Sequence, residues 1–201
     1  MMQSAPVTVI LAAGQSTRMG VSKPLLKFDG ITAVERIVAQ HRSLGQKVAV
    51  VLGFNSAEIQ RSVDLSDTQL FINPSPEDGP LSSLLCAIEF FKTSEFLLLH
   101  PVDHPLVKVS TLSALIGAYR RTRHCILVPT YHGKKGHPVL LPHRFLSELT
   151  HAPLAEGARW VVRKNRSAVN YVSVEDQGIV ENIDTWERYV ELTGFPSLVR
   201  K

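Results

Sequence analysis

Apolar residues follow two rhythms along this chain. Val7–Ala12, Lys47–Leu52, Gln69–Ile72, 96–99 and 125–129 are short runs, apolar nearly throughout. Runs of that length without polar alternation read as strands buried on both faces. Between them the apolar positions recur every three or four residues. In 33–44, Val34, Ile37, Val38 and Leu44 recur at helical spacing, and Gly45 stops the run. In 81–91, Leu81, Leu84, Leu85, Ile88 and Phe91 share another face, and 110–122 is amphipathic in the same way. Asn55 predicts the N-cap of a short helix running to Val63. The segment 27–32 predicts a small hairpin turning at Asp29-Gly30. Strands that alternate with helices predict an α/β fold, a mostly parallel sheet covered by helices on both faces. After Tyr131 the rhythm changes. Gly133 and Gly136 mark a tight turn, 139–141 and Val169–Ser173 read as strands, and 144–149, 156–165 and 185–192 as helices. No repeat, low-complexity tract or linker interrupts the pattern, so residues 1–201 are expected to form a single domain.

Composition narrows this picture by exclusion. A chain of 201 residues with 44% hydrophobic and 20% charged residues has the balance of a globular core, not of a disordered segment. No apolar run reaches the length of a membrane span. The stretch 7–13 has no basic residue before it and is too short for a secretory signal. Cys86 and Cys125 lie far apart and form no CxxC, which suits buried thiols better than a disulfide or a metal site. The expected compartment is the cytoplasm. The net charge is +4 and the pI about 9.2. That excess suits a polyphosphate ligand and equally suits a solvated surface. Arg120, Arg121 and Arg123 fall at the end of a predicted helix, where cations favour the dipole without any ligand. No aromatic residues interleave with the basic ones, so no nucleic-acid groove is expected.

In an open α/β sheet, ligands sit beyond the carboxyl ends of the strands, so the loops after strands carry the candidate chemistry. The first reads Leu11-Ala12-Ala13-Gly14-Gln15-Ser16-Thr17-Arg18-Met19-Gly20-Val21-Ser22-Lys23-Pro24. Its small residues let the backbone approach a ligand, and its N–H groups can cradle phosphate oxygens. Arg18 and Lys23 add positive charge for a polyphosphate. The loop lacks GK[ST] and does not match GxGxxG; on its glycines alone it is an ordinary turn. The fourth strand runs into His100-Pro101-Val102-Asp103-His104-Pro105. Flanking prolines hold Asp103 in a stiff extended turn, where it can ligate Mg²⁺ or merely cap the turn. His100 and His104 are four apart, but Pro101 and Pro105 exclude the helix that a zinc pair would need. Both are expected to be structural histidines.

These strings together resemble the MobA-like nucleotidyltransferases, and within them the molybdenum cofactor cytidylyltransferase branch, over nearly the whole chain. The resemblance rests on the first loop with Lys23-Pro24-Leu25-Leu26; on Asn73-Pro74 and Gly79-Pro80-Leu81-Ser82-Ser83-Leu84; and on 97–106 around Asp103. It continues through Gly136-His137-Pro138-Val139, Gly157-Ala158-Arg159 and Asn182-Ile183-Asp184-Thr185. It implies a three-layer α/β/α, Rossmann-like nucleotidyltransferase fold. It implies that Leu11, Ala12, Ala13, Gly14, Ser16, Arg18, Lys23, Gly79, Ser82 and Ser83 hold the nucleotide. Arg18, Lys23 and Asp103 would be catalytic, Gly136 and His137 would face the acceptor, and Asp103 and Asp184 would ligate Mg²⁺. Asn182 is a second candidate ligand. The family's late motif reads Asp-Ile-Asp-Thr-Pro-Glu-Asp. Here Asn182 stands first, Trp186 replaces the proline and Arg188 the last acid.

The implied reaction is transfer of CMP from CTP to the phosphate of a molybdopterin-type cofactor, with pyrophosphate leaving in line. The partners implied are the NTP, that acceptor, and a molybdoenzyme or its maturation factor. CTP is favoured on a physical ground as well. Ala13 stands where the guanylyltransferase branch has its first glycine, and its methyl group would crowd a purine. Ser82 and Ser83 offer short hydroxyls at a predicted helix start. Three other readings stand beside this one: a guanylyltransferase of the same pathway, a nucleotidyltransferase for a sugar or polyol phosphate, and a delivery factor that binds nucleotide or cofactor without turnover.

Overall fold

The computed structural model describes residues 5–194; residues 1–4 and 195–201 of the expected domain lie outside that range. In chain order the elements are β1 (Val7–Ala12), β2 (Lys27–Phe28), β3 (Ile31–Thr32), α1 (Ala33–Arg42), β4 (Lys47–Leu52), α2 (Ser56–Ser62) and β5 (Gln69–Ile72). Then come α3 (Pro80–Cys86), α4 (Ile88–Phe91), β6 (Phe96–Pro101), α5 (Val109–Thr122), β7 (Ile126–Tyr131), β8 (Lys134–Lys135) and β9 (Val139–Pro142). The chain closes with α6 (Arg159–Lys164), β10 (Val169–Ser173) and α7 (Trp186–Thr193). Among these residues no helix is long and apolar enough to cross a membrane.

The main sheet runs β10-β7-β9-β6-β1-β4-β5, with β8 paired to β7 outside that path. β1 pairs in parallel with β4 and β6, β4 with β5, and β7 with β10. β9 alone on the path is reversed, antiparallel to β6 and β7. The fold is therefore α/β with a mostly parallel mixed sheet. The period of two along a strand sends alternate side chains to opposite faces. Val7, Val9, Leu97 and Leu99 join Leu81, Leu84 and Phe91 of α3 and α4 in one core layer. Ile10, Ala12, Val48 and Val50 join Val34 and Ile37 of α1 and Ile59 of α2 on the other. Leu98 and Leu127 meet Leu115 and Tyr119 of α5.

Local rules explain most boundaries. Thr32 and Glu35 form a reciprocal capping box at the start of α1. Asp29 and Gly30 both take positive φ, the geometry of a tight hairpin turn. Several expectations need correction. Asn55 occupies the N-cap position of α2 in the left-handed region, and its side chain makes no capping bond. The helix expected over 81–91 breaks at Ala87, whose N–H bonds Leu84 O in a tightened last turn. The helix expected over 144–149 is a 3₁₀ turn spanning His143–His151. The helix expected over 156–165 begins only at Arg159, because Gly157 takes a positive φ.

Candidate active site

β1 and β6 are parallel neighbours, so the loops that follow them emerge at one edge of the sheet. The Val102 N–H donates to Leu11 O at 3.0 Å and ties the two loop starts together. The loop after β1 is held by its own residues. Met19 buries its side chain in the core, 3% exposed. Ser16 takes a positive φ, and its Oγ accepts from Lys23 N–H at 3.1 Å. Lys23 then begins a short 3₁₀ turn that Pro24 stiffens. Gly53 packs beneath this loop; a Cβ there would lie 2.8 Å from Ala13 O. A Cβ built on Gly14 would meet nothing within 4 Å, so the loop's backbone faces open space there.

A cavity of about 780 Å³ opens along this edge. Its lining on the β1 side includes Leu11, Ala12, Ala13, Gly14, Ser16, Gly79 and Ser83. On the other side, over β7, β9 and β10, it includes Val128, Lys135, Gly136, His137, Val139, Arg159 and Tyr171. β6 lies between those strands in the sheet, and Lys23, Asp103 and His104 line the same cavity.

The charged centre is a shared cation. The Lys23 ammonium bonds the Asp184 carboxylate and lies 3.8 Å from Asp103. Arg18, well exposed, reaches the other Asp184 oxygen at 3.2 Å. Burial pushes the Asp184 carboxyl up, but the hydrogen bond and charge of Lys23, helped by Arg18, outweigh it and hold the group below the usual range. Asp103 Oδ1 is buried with no hydrogen-bond partner. The Ile183 N–H donates to Asp103 O at 2.9 Å, which joins the two carboxylate-bearing segments by their backbones. Among the described residues no cluster of three His, Cys, Asp or Glu side chains is gathered for a metal. Two carboxylates with one orphaned oxygen do suit Mg²⁺, which takes few protein ligands and completes its shell with water and phosphate.

Of the three departures in the late motif, Asn182 lines the cavity, while Trp186 and Arg188 hold the segment together. Trp186 sits on the Tyr189 ring, centroids 5.1 Å apart. Arg188 bonds Glu181 and Glu191 and so closes the segment that carries Asp184. Thr185 caps α7 through its Oγ.

Around α3 the roles divide. Gly79 has φ 95° and ψ −175°, a region open in practice to glycine alone. Ser83 lines the cavity. Ser82 does not; its Oγ donates to Gly79 O at 2.8 Å and accepts from Asn73 Nδ2. Asn73, 4% exposed, holds both serines at 2.9 Å and organises the helix start. At the far side Gly136 is fixed by crowding, since a Cβ would come within 2.2 Å of Ile179 O. The His137 N–H donates to that same carbonyl at 2.9 Å, and His137-Pro138 is cis. Burial, then the nearby His104 and Arg159, push the His137 imidazole down to about 4. Burial also lowers His104, against the Asp103 carboxylate. Lys135, Tyr171 and Glu156 line the cavity although the sequence reading gave them no role; Lys135 lies over the Tyr171 ring at 4.7 Å. Lys135 lies on β8 and Tyr171 on β10, while Glu156 stands in the turn before α6, and no motif in the sequence marks any of the three.

A parallel-stranded edge carrying a glycine-rich loop, a lysine and two carboxylates can take the phosphates of a nucleotide. The family comparison agrees: residues 8–169 match the MobA-like NTP transferase domain, and the chain belongs to that family. A Bacillus cereus (strain AH820) protein named "Probable molybdenum cofactor guanylyltransferase" is 27% identical over 91% of this chain and 93% of its own. The molybdenum cofactor cytidylyltransferase of Escherichia coli K12 is 24% identical, covering 94% of this chain and all of its own. The nicotine blue oxidoreductase of Paenarthrobacter nicotinovorans is 27% identical over 92% and 94%. Among solved structures, Rv0371c of Mycobacterium tuberculosis H37Rv superposes with a TM-score of 0.85 at 25% identity, over 97% of this chain and 100% of that one.

Proposed function

We propose that this protein transfers CMP from CTP to the terminal phosphate of a molybdopterin-type cofactor and releases pyrophosphate. The observation that carries the reading is the Lys23 ammonium held between Asp103 and Asp184, in a cavity with one half on either side of β6. A donor triphosphate lies against the Leu11 to Gly14 backbone, Ser16 and the helix start at Gly79 and Ser83. The acceptor lies over Gly136 and His137, and its phosphate oxygen attacks the α-phosphorus in line. Arg18 and the loop amides bind the β- and γ-phosphates. Lys23 neutralises the α-phosphate as charge moves to the leaving group. Little covalent work is asked of the protein, so positioning and charge account for the catalysis. Asp103 and Asp184 would hold a divalent cation, Mg²⁺ on this reading; when bound it supplies charge neutralisation and alignment of phosphate oxygens.

CTP is preferred because Ala13 lines the donor half and is only 5% exposed, with its carbonyl packed over Gly53. On this reading the two-ring guanine meets the Ala13 side of the donor half more closely than cytosine does. Relatives carry both the cytidylyl and the guanylyl name, which keeps GTP as the second reading. The test is pyrophosphate release from each NTP in turn, with purified molybdenum cofactor and Mg²⁺. A kcat/KM for CTP above that for GTP is expected. The reverse order assigns the guanylyl reaction, and no release from any NTP rejects transfer altogether.

A further inference from the structure

His100 is out of place chemically. β6 reads Phe96-Leu97-Leu98-Leu99-His100-Pro101, and the imidazole is fully buried. Its Nε2 lies 3.0 Å from His104 O, the carbonyl next after Asp103. Its Nδ1 lies 2.8 Å from Nε2 of His41 on α1, also fully buried. His41 Nδ1 in turn faces the Gln46 side-chain amide and Thr8 Oγ, the latter at 2.9 Å.

The proton inventory gives this chain a direction. A carbonyl can only accept, so His100 Nε2 carries the hydrogen. Burial keeps His100 neutral, holding it well below its ordinary value, so its Nδ1 must accept. His41 therefore donates from Nε2. Burial likewise holds His41 down to about 4, so its Nδ1 accepts. In the structure Gln46 Oε1 faces His41 Nδ1 and accepts from Thr8 Oγ at 3.1 Å; an accepting Nδ1 requires that amide reversed, with Nε2 toward His41. That orientation also gives Gln46 Nε2, otherwise buried with no partner, an acceptor. Every donor points the same way, from the β4 entrance through α1 to the turn that carries Asp103.

We infer that Gln46, His41 and His100 form a one-way hydrogen-bond relay whose role is to position the Asp103 turn, with His41 and His100 as positioning residues. The turn's other backbone restraints are the Val102 N–H donating to Leu11 O at 3.0 Å, the His104 N–H donating to Pro101 O at 3.2 Å and the Ile183 N–H donating to Asp103 O at 2.9 Å. None of them reaches the His104 carbonyl. Without the His100 donor that buried carbonyl is unsatisfied and the turn is free to rotate it outward, carrying Asp103 with it. The functional consequence rests on the nucleotidyl-transfer reading; the relay itself does not.

The experiment has two arms. In the first, imidazole ¹⁵N shifts of the free wild-type protein are recorded between about pH 6 and 8, and Mn²⁺ affinity is read by EPR on the protein alone. Both rings are expected to carry hydrogen on Nε2 only. His100→Leu should weaken Mn²⁺ binding, and His100→Gln, which keeps an N–H near the carbonyl, should restore most of it. In the second arm pyrophosphate release is followed. His100→Leu should lower kcat about tenfold or more with the NTP KM nearly unchanged, as expected for misplacement of a catalytic group. Leu98→Ala, a core change in the same strand, should lower Tm with kcat retained. A ring with hydrogen on Nδ1, no recovery in His100→Gln, or equal kcat loss in Leu98→Ala would overturn the relay. A wild type that releases no pyrophosphate removes the functional reading only; the relay then stands or falls on the first arm.

Discussion

Replacing Asp103 by asparagine separates charge from shape. The substitution keeps the size of the side chain and its backbone bond to Ile183. It removes one of the two negative charges that face Lys23. At 3.8 Å, with an effective dielectric of about 20, the gross Coulomb attraction is about 4 kcal/mol. Little of that reaches stability, because Lys23 keeps its bond to Asp184 and Asp103 has already lost solvation. Folding stability should therefore change by about 1 kcal/mol or less. Catalysis should suffer much more, since the lost charge is needed where phosphate charge shifts. A loss of about a hundredfold or more in kcat, about 2.7 kcal/mol of transition-state stabilisation, is expected. Initial rates of pyrophosphate release across a Mg²⁺ titration, with thermal melts of both proteins, measure the two effects together. If the Asp103→Asn enzyme runs within about threefold of wild type at saturating Mg²⁺, the assignment of Asp103 is wrong.

Lys23 and Arg18 should divide by kinetic constant: Lys23→Ala loses mainly kcat, because that half-buried ammonium lies between the carboxylates, and Arg18→Ala, at an exposed side chain, raises mainly the NTP KM. Unchanged kinetics in both variants would exclude the loop. Gly136→Ala places a methyl against the Ile179 backbone at 2.2 Å, so the protein should lose about 1–3 kcal/mol and several degrees of Tm. A melt equal to wild type would show that the two segments can part. Stability should also fall on acidification. His41 takes its proton near 4 when folded and near 6.5 when unfolded. The unfolded chain thus binds more protons in that window, and stability declines as pH drops through it, by up to about 3 kcal/mol from this residue. Urea unfolding at both ends of the window should show the slope, and His41→Gln should reduce it by that residue's share, leaving the part due to His100, His104 and His137.

β1 and β4 were legible because strands buried on both faces leave an unbroken apolar run, and both fall on the expected residues. β5 and β10 also fall on the expected residues, but they are partly exposed strands at the two edges of the sheet. What escaped was decided by geometry that apolar spacing does not encode. The break at Ala87 and the 3₁₀ turn of His143–His151 keep an apolar face while changing the hydrogen-bond step from four residues to three. The site divides in the same way. Gly14, Lys23 and Asp103 were singled out by the family resemblance, not by the loop's composition alone, and the structure brings the three to one cavity. Ser82, drawn from the same resemblance, stays outside it: its hydroxyl is taken up by Asn73 and Gly79 O, a partnership set by the fold of 73–82. The histidines also needed the structure, because only the packing of α1 on β6 shows that His100 meets His41.

One strand reversal explains why Gly136 and His137 reach this cavity at all. The rule that ligands lie beyond the carboxyl ends of strands selects the loops after β1 and β6. Gly136 and His137 break the rule, since they precede β9 instead of following a strand. But β9 runs antiparallel to β6, with Val139 opposite Leu99 and Pro142 opposite Phe96. Its amino end therefore lies at the edge where its neighbours have their carboxyl ends, and the motif arrives beside Asp103 and not across the sheet from it. The β7–β8 hairpin that turns the chain back leaves Lys135 at the same edge. Had β9 been parallel, Gly136 and His137 would lie at the opposite edge, a strand length from Lys23. A mixed sheet, in which a single inserted strand runs backward, is thus what lets one edge hold a cavity with two halves and a charged centre between them.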